Sequence, residues 1–245
     1  MRNIRLVIEY EGTRYAGWQV QPDVPTVQGM LTRSLARLTG EAVELTGASR
    51  TDAGVHAYAQ VANFRTASEI PVRGIQRGLN SMLPGDIVVK EATEVAGDFC
   101  SRRSSVGKVY VYRIFNLDYP PALLRRWTWH VSRPLDVDAM RQGAVHLVGE
   151  MDFSAFCAAG SDADHPLREV TSVEVASSGE GLIEVEVRGT AFLRHMVRIM
   201  VGTLVEVGLG KLPPDAIPGL IEARDRRAAP RTAPPAGLFL VKAVY

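Results

Sequence analysis

The residues best suited to chemistry are Ser49-Arg50-Thr51-Asp52-Ala53-Gly54-Val55-His56, the densest polar cluster in the first half of the chain. Small residues at Ala48, Ala53 and Gly54 let the backbone turn tightly or approach a ligand closely. An arginine two residues from a carboxylate favours its ionised form. An ionised carboxylate in a cleft can act as a nucleophile or a base. The same pattern also fits a surface Arg–Asp pair capping a helix that starts near Asp52. The residue types alone leave both readings open.

Two further clusters could meet a nucleic acid. Tyr110 and Tyr112 fall on one face of an expected strand, with Lys108 before them and Arg113 after. Aromatic and basic side chains together can stack a base while neutralising phosphate; the plainer alternative is that this face is core. Arg194, His195 and Arg198 sit in an otherwise apolar segment. A helix over 193–207 would place Arg194 and Arg198 on one side, either in solvent or reaching towards a cleft. The five histidines are scattered without paired ligand spacing, so no metal site is expected. Walker, dinucleotide-binding, Cys-x-x-Cys and nucleophile-elbow motifs are absent, which disfavours NTP hydrolysis, dinucleotide redox chemistry and zinc deamination.

The elements that must position these residues can be read from periodicity. Strands are expected at 4–10, 42–46, 60–66 and 87–93, then at 108–115, 170–176, 182–188 and 238–244. Thr26 can cap a helix with Val27, Met30, Leu31, Leu35 and Leu38 at helical spacing, stopped by Gly40. Pro71 opens a shorter helix over 72–81, and Asp136 or Asp138 caps another that runs through Ala144 to Val148. Strands and helices do not alternate strictly, which favours an α+β fold. The expected division is 1–104, carrying Asp52, and 105–245. The stretch 224–235, rich in Arg, Ala and Pro, reads as a surface connection.

Composition bounds the function loosely. Of 245 residues, 46% are hydrophobic and 22% charged, ordinary for a globular protein. No run approaches the ~20 apolar residues that span a bilayer. Residues 1–10 do not read as a signal peptide. Cys100 and Cys157 are expected to be free thiols in a reducing cytoplasm. The net charge of +1 argues mildly against nucleic acid, but only four of the 28 basic residues are lysines. Arginine suits RNA through bidentate phosphate contacts and stacking, although nucleotide bias explains the same skew.

The heptad Arg50-Thr51-Asp52-Ala53-Gly54-Val55-His56 resembles that of the tRNA pseudouridine synthase A family. Further resemblance lies in Glu9 to Thr13, Tyr15 to Gln19, Thr26-Val27-Gln28, Asn80 with Leu83 to Ile87, and Lys108 to Ile114. It continues through Asp152-Phe153 with Phe156, Phe192, His195 to Arg198 and Gly237-Leu238, in order and nearly end to end. Two positions depart from the pattern: Cys100 stands where histidine is common, and Gly29 where a helix-capping glutamate is common.

The resemblance implies a pseudouridine synthase fold, two α/β subdomains with mixed or antiparallel sheets around a central cleft. It implies a cofactor-independent isomerase acting on uridines 38–40 of the tRNA anticodon stem-loop. Asp52 matches the family's catalytic aspartate, which attacks the nucleoside at base or sugar. Arg50 matches the arginine paired with it, and Tyr110 the tyrosine that stacks on the flipped uracil and assists proton removal. Arg198 matches a basic cleft residue and Leu238 an apolar wall; Arg102 and Arg194 complete the expected substrate contacts. A cytoplasmic homodimer, with one tRNA across both subunits and no membrane association, is also implied. Two rivals remain: a tRNA-binding factor without catalysis, and a hydrolase using Asp52 with His56.

Overall fold

The computed structural model describes residues 1–160 and 165–245. In chain order the first elements are β1 (Arg2–Tyr10), α1 (Val27–Thr39), β2 (Thr46–Gly47), β3 (His56–Thr66), α2 (Val72–Met82) and β4 (Ile87–Val95). Then come β5 (Gly107–Phe115), β6 (Trp129–His130), α3 (Val137–Val145), β7 (Gly149–Asp152), β8 (Leu167–Ser177), β9 (Leu182–Gly189), α4 (Met196–Gly208), α5 (Ile217–Ala223) and β10 (Leu238–Val244). Pairings are mixed, antiparallel in most places and parallel where β10 meets β3 and β6 meets β5, so the class is α+β.

The chain forms two compact units, Met1–Val106 with Phe239–Tyr245, and Gly107–Leu238. All of the last strand after Leu238 therefore belongs with the first unit. Its backbone pairs with β3, Phe239 opposite His56 and Leu240 opposite Ala57.

In the first unit the strands run β4-β1-β3-β10, with β2 on β3. Alternation along β1 buries Ile4, Leu6 and Ile8 completely, the half-buried pattern of an antiparallel strand. Thr26 caps α1 as expected, its Oγ1 accepting from Gly29 N at 3.2 Å, and Gly40 ends it at φ +75°. Val27, Leu31 and Leu35 face inward with Ile75 and Leu79 of α2. An expected strand at 42–46 shortens to Thr46–Gly47. Val43 and Leu45 are buried, so the alternation was real but reported burial rather than ladder pairing.

In the second unit the order is β5-β9-β8-β7, with β6 beside β5. Helix α4 is apolar on nearly every side, and Ile199, Met200, Val201, Leu204 and Val205 have no exposed surface. That pattern belongs to a helix in the core rather than on its surface. Asp136 caps α3, accepting from Ala139 N at 2.9 Å. Helix α3 ends at Val145, short of the expected Val148. The connection 224–235 is tied down at its end, where Ala233 N donates to Arg198 O and the Tyr112 hydroxyl donates to Pro234 O. Both cysteines are free. Among the described residues no helix is long and apolar enough to cross a membrane.

Candidate active site

Asp52 does not cap a helix. Residues 49–52 carry no regular structure and lead into a turn closed by Val55 N donating to Asp52 O at 3.1 Å. Gly54 takes φ +78°, a conformation that favours glycine. Asp52 is half-buried, Arg50 and Ala53 are exposed, and Thr51 is buried between them. A carboxylate is therefore presented at the surface by a backbone that is itself fixed.

The fixing starts at α1. The first N–H groups of a helix lack intrahelical partners. Here Val27 N donates to Gly17 O and Gln28 N to Trp18 O. Trp18 N in turn donates to Thr51 O at 3.0 Å, and Gly54 N donates to Tyr15 O at 3.2 Å. Tyr10 and Thr51 share a hydroxyl–hydroxyl bond of 2.7 Å. From the β3 side, Gln60 donates to Ser49 O at 2.6 Å and accepts from Ser49 N at 3.3 Å. The approach is close enough that a Cβ on Gly17 would lie 2.5 Å from Thr51 O, and one on Gly12 2.0 Å from Val55 O.

His56 has a structural task in this arrangement. Its ring is buried and stacked on Phe239 at 4.8 Å, and Nδ1 accepts from Gly12 N at 2.9 Å. An accepting Nδ1 means that the neutral ring carries its proton on Nε2. Glu11 Oε1 lies 3.7 Å from the same nitrogen.

In the second unit Tyr110 is buried and meets Phe192 edge-on, with ring centroids 5.3 Å apart. Tyr112, two residues on, has no exposed surface, and its hydroxyl donates to Pro234 O at 2.7 Å. Burial raises that hydroxyl well above the ordinary phenol range, against a smaller opposing pull from Arg198 and Arg231. Arg198 is half-buried and exchanges two bonds with Ala233: Nε donates to the carbonyl at 2.8 Å, and Ala233 N to Arg198 O at 3.0 Å. Leu238 is buried.

Arg194 requires a correction. Helix α4 begins at Met196, and His195 stands before it at φ +60°, so Arg194 and Arg198 do not share a helix face. Arg194 is exposed and donates to Ala159 O and Gly160 O. Arg102 is exposed in the first unit, next to Ser101, whose Oγ donates to Thr46 O at 2.6 Å. The first unit therefore holds Asp52, Arg50 and Arg102, and the second holds Tyr110, Arg194, Arg198 and Leu238. Sequence reasoning gave no role to the supports, namely Tyr10, Gly12, Gly17, Trp18 and Gln60. The first four lie in segments that carry the family resemblance, and that was their one available signal.

A family model described as tRNA pseudouridine synthase matches residues 6–116 and 144–245. The chain belongs to the tRNA pseudouridine synthase family. Membership makes it an isomerase that forms pseudouridine in tRNA, and all seven expected site residues lie within the matched ranges. A tRNA pseudouridine synthase A of Acetivibrio thermocellus is 50% identical over 245 residues, all of both chains. One from Myxococcus xanthus is 48% identical, covering all of this chain and 92% of that one, and one from Geotalea uraniireducens 47%, covering all of both. Among solved structures, an archaeal box H/ACA sRNP Nop10-Cbf5 complex aligns with 97% of this chain and 57% of that one. Its TM-score of 0.39 and identity of 11% are too low to bear on any residue.

Proposed function

We propose that this tRNA pseudouridine synthase acts on uridines 38–40 of the anticodon stem-loop, with Asp52 as nucleophile. What supports the reading is the Asp52 turn: a carboxylate on small residues, accessible, and held through Thr51 and Ser49 by four bonds from three residues, Tyr10, Trp18 and Gln60. Preorganised geometry of this kind is what a reaction held to one trajectory needs.

The reaction breaks the N1–C1′ glycosidic bond and makes a C5–C1′ bond. The proton on C5 leaves, and N1 gains one. Attack by the carboxylate, on base or sugar, splits the exchange into two easier steps. A base within a stem must first leave its stack, at a cost of a few kcal/mol. Stacking on Tyr110 offsets part of this, and its hydroxyl serves the late proton removal. Arg50 helps displace the base. Leu238 walls the uracil, while Arg198, Arg102 and Arg194 neutralise phosphate. The enzyme works as a cytoplasmic homodimer, one tRNA lying across both subunits.

The hydrolase alternative would use His56 as partner base. Its Nδ1 accepts from Gly12 and its ring is packed on Phe239, contacts that give His56 a structural task.

The experiment is tritium release from tRNA labelled at uracil C5. Wild type releases tritium, with product mapping to positions 38–40. Asp52→Asn loses more than ~1,000-fold in turnover while tRNA affinity is retained. Normal turnover by Asp52→Asn would sink the assignment. Tight binding by wild type without release, on several tRNAs, would point to a binding factor instead.

A further inference from the structure

The outer edge of β3 is shared by two strands. Residues Ala62 and Asn63 pair with β2, antiparallel, and residues His56 and Ala57 pair with β10, parallel. Between them the chain leaving β2 makes one more ladder-like bond, Ala48 N donating to Val61 O at 2.8 Å. At Ser49 the backbone turns away towards Arg50 and Asp52. Continued pairing would put Ser49 against the backbone at position 60. Instead the Gln60 side chain takes over, donating to Ser49 O at 2.6 Å and accepting from Ser49 N at 3.3 Å. A primary amide presents the same donor and acceptor pair as a peptide group, so it extends the ladder by one side-chain length. Gln60 has no exposed surface. A buried amide with both ends committed to one residue has few alternative rotamers and a high cost of moving.

We infer that Gln60 is a positioning residue for the reaction. Its amide clamps Ser49 at the point where the catalytic turn leaves the sheet, and so sets the direction in which Arg50 and Asp52 are presented. This rests on Asp52 being the nucleophile. Gln60 acts from one side of the turn while Trp18 N and Tyr10 act at Thr51 on the other. Losing the clamp frees the turn at one end only. The fold and the tRNA contacts persist, and the carboxylate's trajectory is lost.

A matched control exists in the same unit. Asn80 clamps Val89 in the same bidentate manner, donating to its O at 2.9 Å and accepting from its N at 2.8 Å. Asn80→Ala removes a comparable pair of bonds from β4, away from the Asp52 turn.

The test compares wild type, Gln60→Met, Gln60→Glu, Asn80→Ala and Asp52→Asn by tritium release, with kcat and KM separated and Tm measured. Gln60→Met is expected to lose about 100-fold in kcat, the scale of a misplacement near 1 Å, with KM unchanged. Asn80→Ala is expected to lower Tm and keep kcat. Gln60→Glu supplies the discriminating signature. An ionised carboxylate repels Ser49 O, whereas a protonated one donates to it and still accepts from Ser49 N. Burial raises a carboxyl pKa, so kcat of Gln60→Glu relative to wild type should climb as pH falls from 8 to 6. Wild-type kcat in Gln60→Met overturns the inference, as does a flat Gln60→Glu to wild-type ratio. Loss of kcat in proportion to Tm in both Gln60→Met and Asn80→Ala does so as well. If Gln60→Met does not fold, the Gln60→Glu ratio decides alone. Normal turnover by Asp52→Asn would instead remove the nucleophile assignment on which the inference stands.

Discussion

Two tyrosines on one face of β5 are both buried, and the proposed function gives them different work. Tyr112 spends its hydroxyl on Pro234 O and has no exposed surface. Tyr112→Phe strands that carbonyl and should cost ~1–3 kcal/mol, seen in denaturant unfolding, with kcat of the folded enzyme kept. Tyr110 meets Phe192 edge-on and is the residue proposed to stack on uracil. Tyr110→Phe keeps the ring and removes the hydroxyl, so tRNA affinity should hold while kcat falls by ~100-fold or more, the range of a general acid–base group. Equal kcat losses in the two variants would contradict this division. The sequence showed the two tyrosines and their shared face, but not that Pro234 O holds the Tyr112 hydroxyl, because Pro234 lies 122 residues away. His56 was legible as a polar residue beside Asp52. Its burial and its bond to Gly12 were not, since both depend on contacts across the fold.

Among the elements, those with local signals could be read and those defined by distant partners could not. Helix α1 was visible at both ends because Thr26 and Gly40 act on their own backbone neighbours. Strands β1, β3, β5 and β9 carried runs long enough to show their period. The short β6 and β7 exist only through partners elsewhere in the chain. The start of α4 was misplaced because apolar spacing runs on through Leu193, while a left-handed His195 leaves no trace in periodicity. The link from α1 to the Asp52 turn was likewise hidden in glycine contacts. It gives a sharp expectation. Gly12→Ala places a methyl against the Val55 carbonyl, backbone that cannot swing aside. Overpacking there should cost roughly 3 kcal/mol and disturb the turn beginning at Asp52. Lowered Tm together with lowered kcat is the expected result. Unchanged values for both would show that the loop adapts and that the turn is not held from this side.

For the whole molecule, connectivity and charge set the remaining expectations. The chain leaves its first unit at Val106 and returns to it at Phe239. Phe239 stacks on His56 and Tyr58, and Tyr245 donates to Ser101 O at 2.8 Å. Removing 239–245 should therefore destabilise the unit that carries Asp52, although 132 residues of sequence intervene between its two parts. Limited proteolysis should cut first within 1–106 in the truncated protein, and cutting confined to 107–238 would contradict this. Charge acts differently. A net charge of +1 is too small to draw RNA from a distance, so affinity must come from local arginines that displace counterions. If three phosphates are neutralised, binding should weaken by about 20- to 40-fold between about 50 and 200 mM salt. Arg102, exposed and apart from the turn, is the residue to remove. Arg102→Ala should lower the slope of log affinity against log salt by about one unit and leave kcat at saturating tRNA unchanged. A slope equal to that of wild type would take Arg102 out of the tRNA contact. A fall in kcat would instead tie it to the chemistry, through the loop that Ser101 and Asn63 fasten to β3.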